Sequence, residues 1–122
     1  MTLTYQYNTG EDNMEFLVMM KLSDEGIGET AEENRNILER LVIPSMERLK
    51  EMESEGIVRG GFFGGQRSAA FIFTVSSGEE LDEILTGLPL SAIFGIESIP
   101  VESISEAIER DRKVLEDLSN IQ

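Results

Sequence analysis

The sequence predicts an α+β domain, a four-stranded antiparallel sheet with helices on one face, followed by a further helix at the C-terminus. Three observations carry this. Segments with apolar residues at every second position alternate with segments that repeat them every three and four. The resulting order is strand, helix, strand, strand, helix, strand, helix. Each helix opens on a Ser/Thr-x-x-Glu box: Thr30 with Glu33, Ser77 with Glu80, Ser103 with Glu106.

The first strand is EFLVMMKL at 15–22, with Phe16, Val18, Met20 and Leu22 on one face and Glu15, Leu17, Met19 and Lys21 on the other. Both faces are largely apolar, which predicts a central strand. SDEGIGE at 23–29 reads as a flexible acidic loop without the spacing of a calcium loop. The first helix follows, with Ile37, Leu38, Leu41, Val42, Met46, Leu49 and Met52 on one stripe. Pro44 lacks an N–H, so it either kinks this helix or begins a second one in its first turn.

Residues 56–76 are the centre of the pattern. Ile57 to Phe63 and Ser68 to Ser76 read as two strands, with Gly64-Gly65 as the turn. Gly60 and Gly61 inside the first of them signal a bulge or a close approach of backbone or ligand. A short helix carries Leu81, Ile84, Leu85 and Leu88 and ends at Gly87 and Pro89. The fourth strand runs from Ile93 to Val101, and Pro100 puts its end at a sheet edge. The last helix has a stripe of Ile104, Ala107, Ile108, Val114, Leu115 and Leu118, broken by Asp111. It packs either on its own domain or between subunits.

The first six elements match the split βαββαβ pattern of a ferredoxin-like sandwich, with sheet order 4-1-3-2 and both helical segments on one face. The other sheet face is also apolar, so it predicts a partner sheet from a second copy. The expected division is a polar leader or extra edge strand at 1–13, the domain at 14–102 and the C-terminal helix at 103–122.

The chain of 122 residues fits one domain. It has no cysteine and no histidine, which excludes thiol chemistry, disulfides and histidine bases or ligands. A net charge of −14 disfavours nucleic acid and anionic membrane surfaces as partners. It serves solubility, or else a high-salt cytoplasm. No apolar run has the length of a membrane span, and the N-terminus lacks the regions of a signal peptide, so a cytoplasmic location is expected. No cofactor or metal is expected. GGFFGG at 60–65 is not followed by Gly-Lys-Ser/Thr or a helix, so it is not a phosphate loop. Its Phe62 and Phe63 are expected in the core or in dimer contacts, and Met19, Met20, Met46 and Met52 as core filler or, since methionine also suits adaptable pockets, in a pocket wall.

From Met14 to Val101 the chain resembles the muconolactone isomerase-like branch of the dimeric α/β-barrel proteins. The residues that carry this are MEFLV at 14–18, VRG at 58–60, GLPL at 87–90, Ile96-Glu97 and Pro100. The resemblance implies a ferredoxin-like fold whose sheets pair in a dimer, sometimes assembled into larger rings. It also implies a pocket between sheet and helices, and a proton shift within an unsaturated lactone. The chain differs from that family in lacking histidine, in a glycine-richer hairpin without tryptophan, and in its leader and added helix.

Such a reaction needs a base for a proton α to a carbonyl and a cation for the enolate. Glu97 is the candidate base and Arg59 the candidate electrophile, each a charge within an apolar strand. Their alternative is a place at strand edges, solvated or paired with each other. Glu15 and Lys21 share a face and line the same cavity, or are strand-end charges in water. Arg67 binds a substrate carboxylate at a pocket, or is a solvated turn residue. The leading functional expectation is a cofactor-independent isomerase acting on a small unsaturated lactone or carbonyl compound. The alternatives are a non-catalytic ligand-binding or assembly module and a cofactor-free oxygenase.

Overall fold

A computed structural model describes residues 13–121; the leader therefore lies outside the described residues except for Asn13. Strand β1 (Met14–Leu22) is central, antiparallel to β3 (Ser68–Val75) on one side and β4 (Phe94–Val101) on the other. Strand β2 (Val58–Phe62) pairs with β3, so the order is β2-β3-β1-β4. This is the expected 4-1-3-2 sheet counted from the other edge. Pro100 falls on edge strand β4, where a missing donor costs no ladder bond.

Period two sorts the strands into a core face and an open face. Phe16, Val18 and Met20 of β1 and Ala69, Phe71, Phe73 and Val75 of β3 are buried. They form one core with Leu49 and Met52 of α2 (Ile43–Ser54) and Leu81 and Leu85 of α3 (Gly78–Gly87). Phe73 at the centre is fully buried, so truncation to alanine there would cost about 3–5 kcal/mol.

The first helical segment resolves the Pro44 alternatives. Helix α1 (Ala31–Ile37) opens on the expected capping box: Glu33 N–H donates to Thr30 Oγ1 at 3.0 Å, and Thr30 N–H to Glu33 Oε1 at 3.0 Å. It passes into a π turn at Leu38–Val42, where Ile43 N–H reaches back to Leu38 O. α2 then begins with Pro44 in its first turn. A proline cannot donate to the preceding turn, and the wider π turn takes up the mismatch.

One residue after Pro44 stands Ser45, the one buried polar residue of the described core. Its Oγ donates to Leu41 O at 2.6 Å and accepts from Leu90 N–H at 2.9 Å. Leu88 and Leu90 are themselves buried. The GLPL motif is thus a packing device that inserts two leucines into the core and hangs its backbone on a helix hydroxyl.

The acidic loop expected to be flexible is tied down. Ser23 Oγ donates to Ile93 O at 2.7 Å, and Gly28 N–H donates to Asn34 Oδ1 at 2.9 Å. In the hairpin turn, Gln66 N–H bonds Phe63 O at 3.1 Å, and Gly65 takes φ +73° as expected of its position. Gly60 is the close approach: at φ +129° an added Cβ would sit 2.4 Å from Ala70 O.

The second capping box forms only in half. Ser77 Oγ accepts from Glu80 N–H at 3.1 Å, but the Glu80 carboxylate bonds Ser76, taking its N–H at 2.6 Å and its hydroxyl at 2.9 Å. Ser76 offers two donors to one oxygen, where Ser77 offers only its N–H. Those bonds hold the Glu80 carboxyl below the usual range, the backbone bond most. The third box is complete, between Ser103 and Glu106. It opens α4 (Ile104–Ser119), whose residues are all exposed except the half-buried Ala107. Of the two expected settings for this helix, packing on its own domain is not realised.

Candidate active site on the open sheet face

Among the described residues, helices cover one sheet face and leave the other open. Arg59, Ile72, Leu17 and Ile99 form one row across that open face. Gly61, Ala70, Met19 and Glu97 form the next, and Ser68, Lys21 and Gly95 the third. The strands thus present a mostly apolar surface, with Met19 41% and Ile99 51% exposed. Met19 is therefore not the core filler expected; Met20 and Met52 are.

At the turn end of this face lies a cleft of about 560 Å³. Its walls are Met19, Lys21, Phe63, Gln66, Gly95 and Glu97, among others. β4 brings Glu97 beside Met19, and β1 brings Lys21 beside Gly95, so the two charges are diagonal neighbours on one face. Diagonal neighbours lie roughly 7–8 Å apart, somewhat less between Cβ atoms, and both residues line the one cleft. Neither takes part in an ion pair among the described residues.

The other candidates are elsewhere. Arg59 projects from β2, where its guanidinium meets Glu15 at 3.1 Å and not Glu97. Glu15 also accepts from Thr74 Oγ1 at 3.5 Å. The pair is solvent-exposed, so it contributes at most about 1 kcal/mol. Glu15 and Lys21, six residues apart on one strand, are roughly 20 Å apart and line no common cavity.

Arg67 reaches a second, smaller cleft of about 240 Å³ on the helix side of the same sheet end. Leu22, Ile27, Asn34, Leu38 and Phe94 line it, with the π turn in its wall. The resemblance implies a pocket between sheet and helices, and this cleft lies in such a place. It holds a cation and an amide but no carboxylate among its lining residues.

Sequence reasoning missed Phe63 and Gln66 as cleft residues. Alternation was the available signal for Phe63: Phe62 lies opposite Ala69 on the core face, where it meets the Phe71 ring edge-on at 5.6 Å. Its successor therefore turns to the open face. Gln66 is placed by the turn, and no periodicity marks it.

No curated protein matches the chain closely. The family model of muconolactone delta-isomerase matches residues 14–106, which span all four strands and α1 to α3, and the chain belongs to that family.

Proposed function

We propose that the chain catalyses a proton shift within a small unsaturated lactone or carbonyl compound, in the cleft on the open sheet face, with Glu97 as the base. One observation carries this: Glu97 and Lys21 stand diagonally across a single cleft. The carboxylate takes the proton from the carbon next to the carbonyl, and the electron pair moves onto the carbonyl oxygen. A cation beside that oxygen stabilises the enolate. The protonated carboxyl then returns the proton to the far carbon of the extended enolate, and the double bond shifts without net loss of atoms. Lys21 is the cation nearest to Glu97 among the sequence candidates of one chain. Phe63 and Met19 supply apolar contact for the ring. Family membership supports the reaction class.

The open face also supports a homodimer formed sheet to sheet. Among the described residues Met19 and Ile99 stay exposed on this face and Leu17 and Ile72 half-buried, and a second sheet would cover them and exclude water from the cleft.

The test is lactone isomerisation by wild type and by Glu97→Gln. A rate loss of about 100-fold or more is expected for removal of a general base. Equal rates would remove Glu97 from the mechanism.

A second reading, oligomeric assembly, is favoured by α4. Ile104 is 81% exposed and Leu115 64%, and the family match ends near the start of this helix. Removal of residues 103–122 should lower the number of chains per particle in sedimentation. An unchanged number would end the assembly role.

A further inference from the structure

Helix α4 has 16 residues, all exposed except the half-buried Ala107. A helix of that length is marginal in water unless one face is packed. Ile104, Ile108, Asp111, Leu115 and Leu118 follow one another at intervals of four, three, four and three. That alternation keeps a seam in line along a helix and is the spacing of one helix packed on another. The two flanks of the seam differ. One carries Ala107, Val114 and Ile121, the other Ser105, Arg112 and Ser119, each set seven residues apart. Asp111 and Arg112 both border the surface made by Ile104, Ala107, Ile108 and Leu115.

We propose that α4 pairs with α4 of a second copy in the antiparallel sense, and that Asp111 meets Arg112 of the partner subunit at the centre. The inference rests on the reading of α4 as an assembly element, and adds to it the occupant of the stripe and its direction. In a parallel pair each seam residue faces its own copy, so two Asp111 carboxylates share an apolar seam. The apolar flank of one helix then lies along the polar flank of the other. In an antiparallel pair like flanks meet, apolar with apolar and polar with polar. Because α4 runs from residue 104 to residue 119, its middle falls between Asp111 and Arg112. With the ends flush, Asp111 stands across from Arg112 of the partner subunit, and Ile108 across from Leu115 of the partner subunit. A slide of one turn, about 5.4 Å, stays within reach of an arginine side chain.

Two carboxylates and two guanidiniums thus close the centre of the pair, with apolar layers on both sides. Charge complementarity selects the antiparallel direction, and the two-fold axis makes the contact twice. A single polar residue in a seam fixes register in this way. Within one chain the two charges are held only along α4, Asp111 by Arg110 at 3.2 Å and Arg112 by Glu109 at 3.5 Å. Those pairs are exposed and worth little, so they yield to the contact between chains.

The chain has no cysteine, so introduced ones report direction by disulfide cross-linking. Ser105 stands across from Leu118 of the partner subunit in the antiparallel pair. Leu118 and Leu118 of the partner subunit are thirteen residue steps apart along the axis, about 20 Å, and a disulfide needs Cα atoms within about 7 Å. Ser105→Cys and Leu118→Cys chains, each verified as folded by far-UV circular dichroism, are mixed in equal amounts, equilibrated, oxidised and read by intact mass. The mixed dimer is expected at about ten times either same-variant dimer, against about twice for pairing without a direction. In sedimentation equilibrium, Asp111→Arg and Arg112→Asp should each raise the dissociation constant of the α4-dependent assembly at least tenfold. Both changes in one chain should return it to within threefold of wild type. Efficient cross-linking of Leu118→Cys alone would show a parallel pair and overturn the proposal. A double variant as weak as the single ones would remove the contact between Asp111 and Arg112. If no cross-link forms while removal of residues 103–122 still lowers the number of chains per particle, α4 assembles on another surface; the proposal then falls and the assembly reading stands. If that removal changes nothing, the assembly reading falls as well.

Discussion

Ser45→Ala probes how the family's GLPL segment is held. In the folded chain the Ser45 hydroxyl is the acceptor for Leu90 N–H, and both residues are fully buried. Removal of that oxygen leaves an amide donor without a partner in an apolar core, which costs about 1–3 kcal/mol. Alanine returns about 0.5 kcal/mol through its higher helix propensity within α2. The balance is a loss of about 0.5–2.5 kcal/mol, centred near 1.5 kcal/mol. For a domain of this size that lowers the melting temperature by about 4–8 °C. Urea unfolding followed by circular dichroism reads it directly: the midpoint should fall with the slope unchanged. Ser54→Ala is the control, since that hydroxyl also bonds a helix carbonyl, Glu51 O at 2.7 Å, but is exposed. It should stay within about 0.5 kcal/mol of wild type. A Ser45→Ala change as small as the control would refute the account, because the Leu90 amide would then have found another partner.

Two further predictions concern single backbone and carboxylate sites. Gly60→Ala places a Cβ against backbone atoms that cannot yield, 2.4 Å from Ala70 O and 2.9 Å from Phe71 Cα, at a positive φ. It should cost about 1–3 kcal/mol by thermal unfolding, whereas Gly61→Ala, with nothing within 4 Å, should be close to neutral; equal effects would show that crowding at Gly60 is relieved by movement of the hairpin. The Glu80 carboxyl is held low by Ser76. Its folded pKa lies below the unfolded one, so its contribution is present above about pH 4.3 and is lost as pH falls through the folded value. Ser76→Ala removes the hydroxyl bond, and its stability should therefore converge on that of wild type in acid. A gap that stays constant from pH 7 to pH 2 would mean that the hydroxyl acts by packing alone.

The elements of this protein are legible in its sequence because each rests on local physics. Alternation at 15–22 and 68–76 defines which side chains share a sheet face. Thr30, Ser77 and Ser103 stop the chain from running on as loop, and Gly65 makes the turn that only a residue without a Cβ makes cheaply. The element order then leaves few sheet topologies, and the observed one is the expected one. What alternation cannot supply is position across the sheet. Arg59 and Glu97 look equivalent as lone charges in apolar strands. Only the strand order places one at each edge, and only the β1–β4 register sets Glu97 diagonally across from Lys21. The same holds for Ser45, an ordinary helix serine until Leu90, 45 residues away, is folded against it. Faces and caps depend on neighbours within a few residues, so sequence determines them. A site depends on distances between residues remote along the chain, and those exist only once the sheet has assembled.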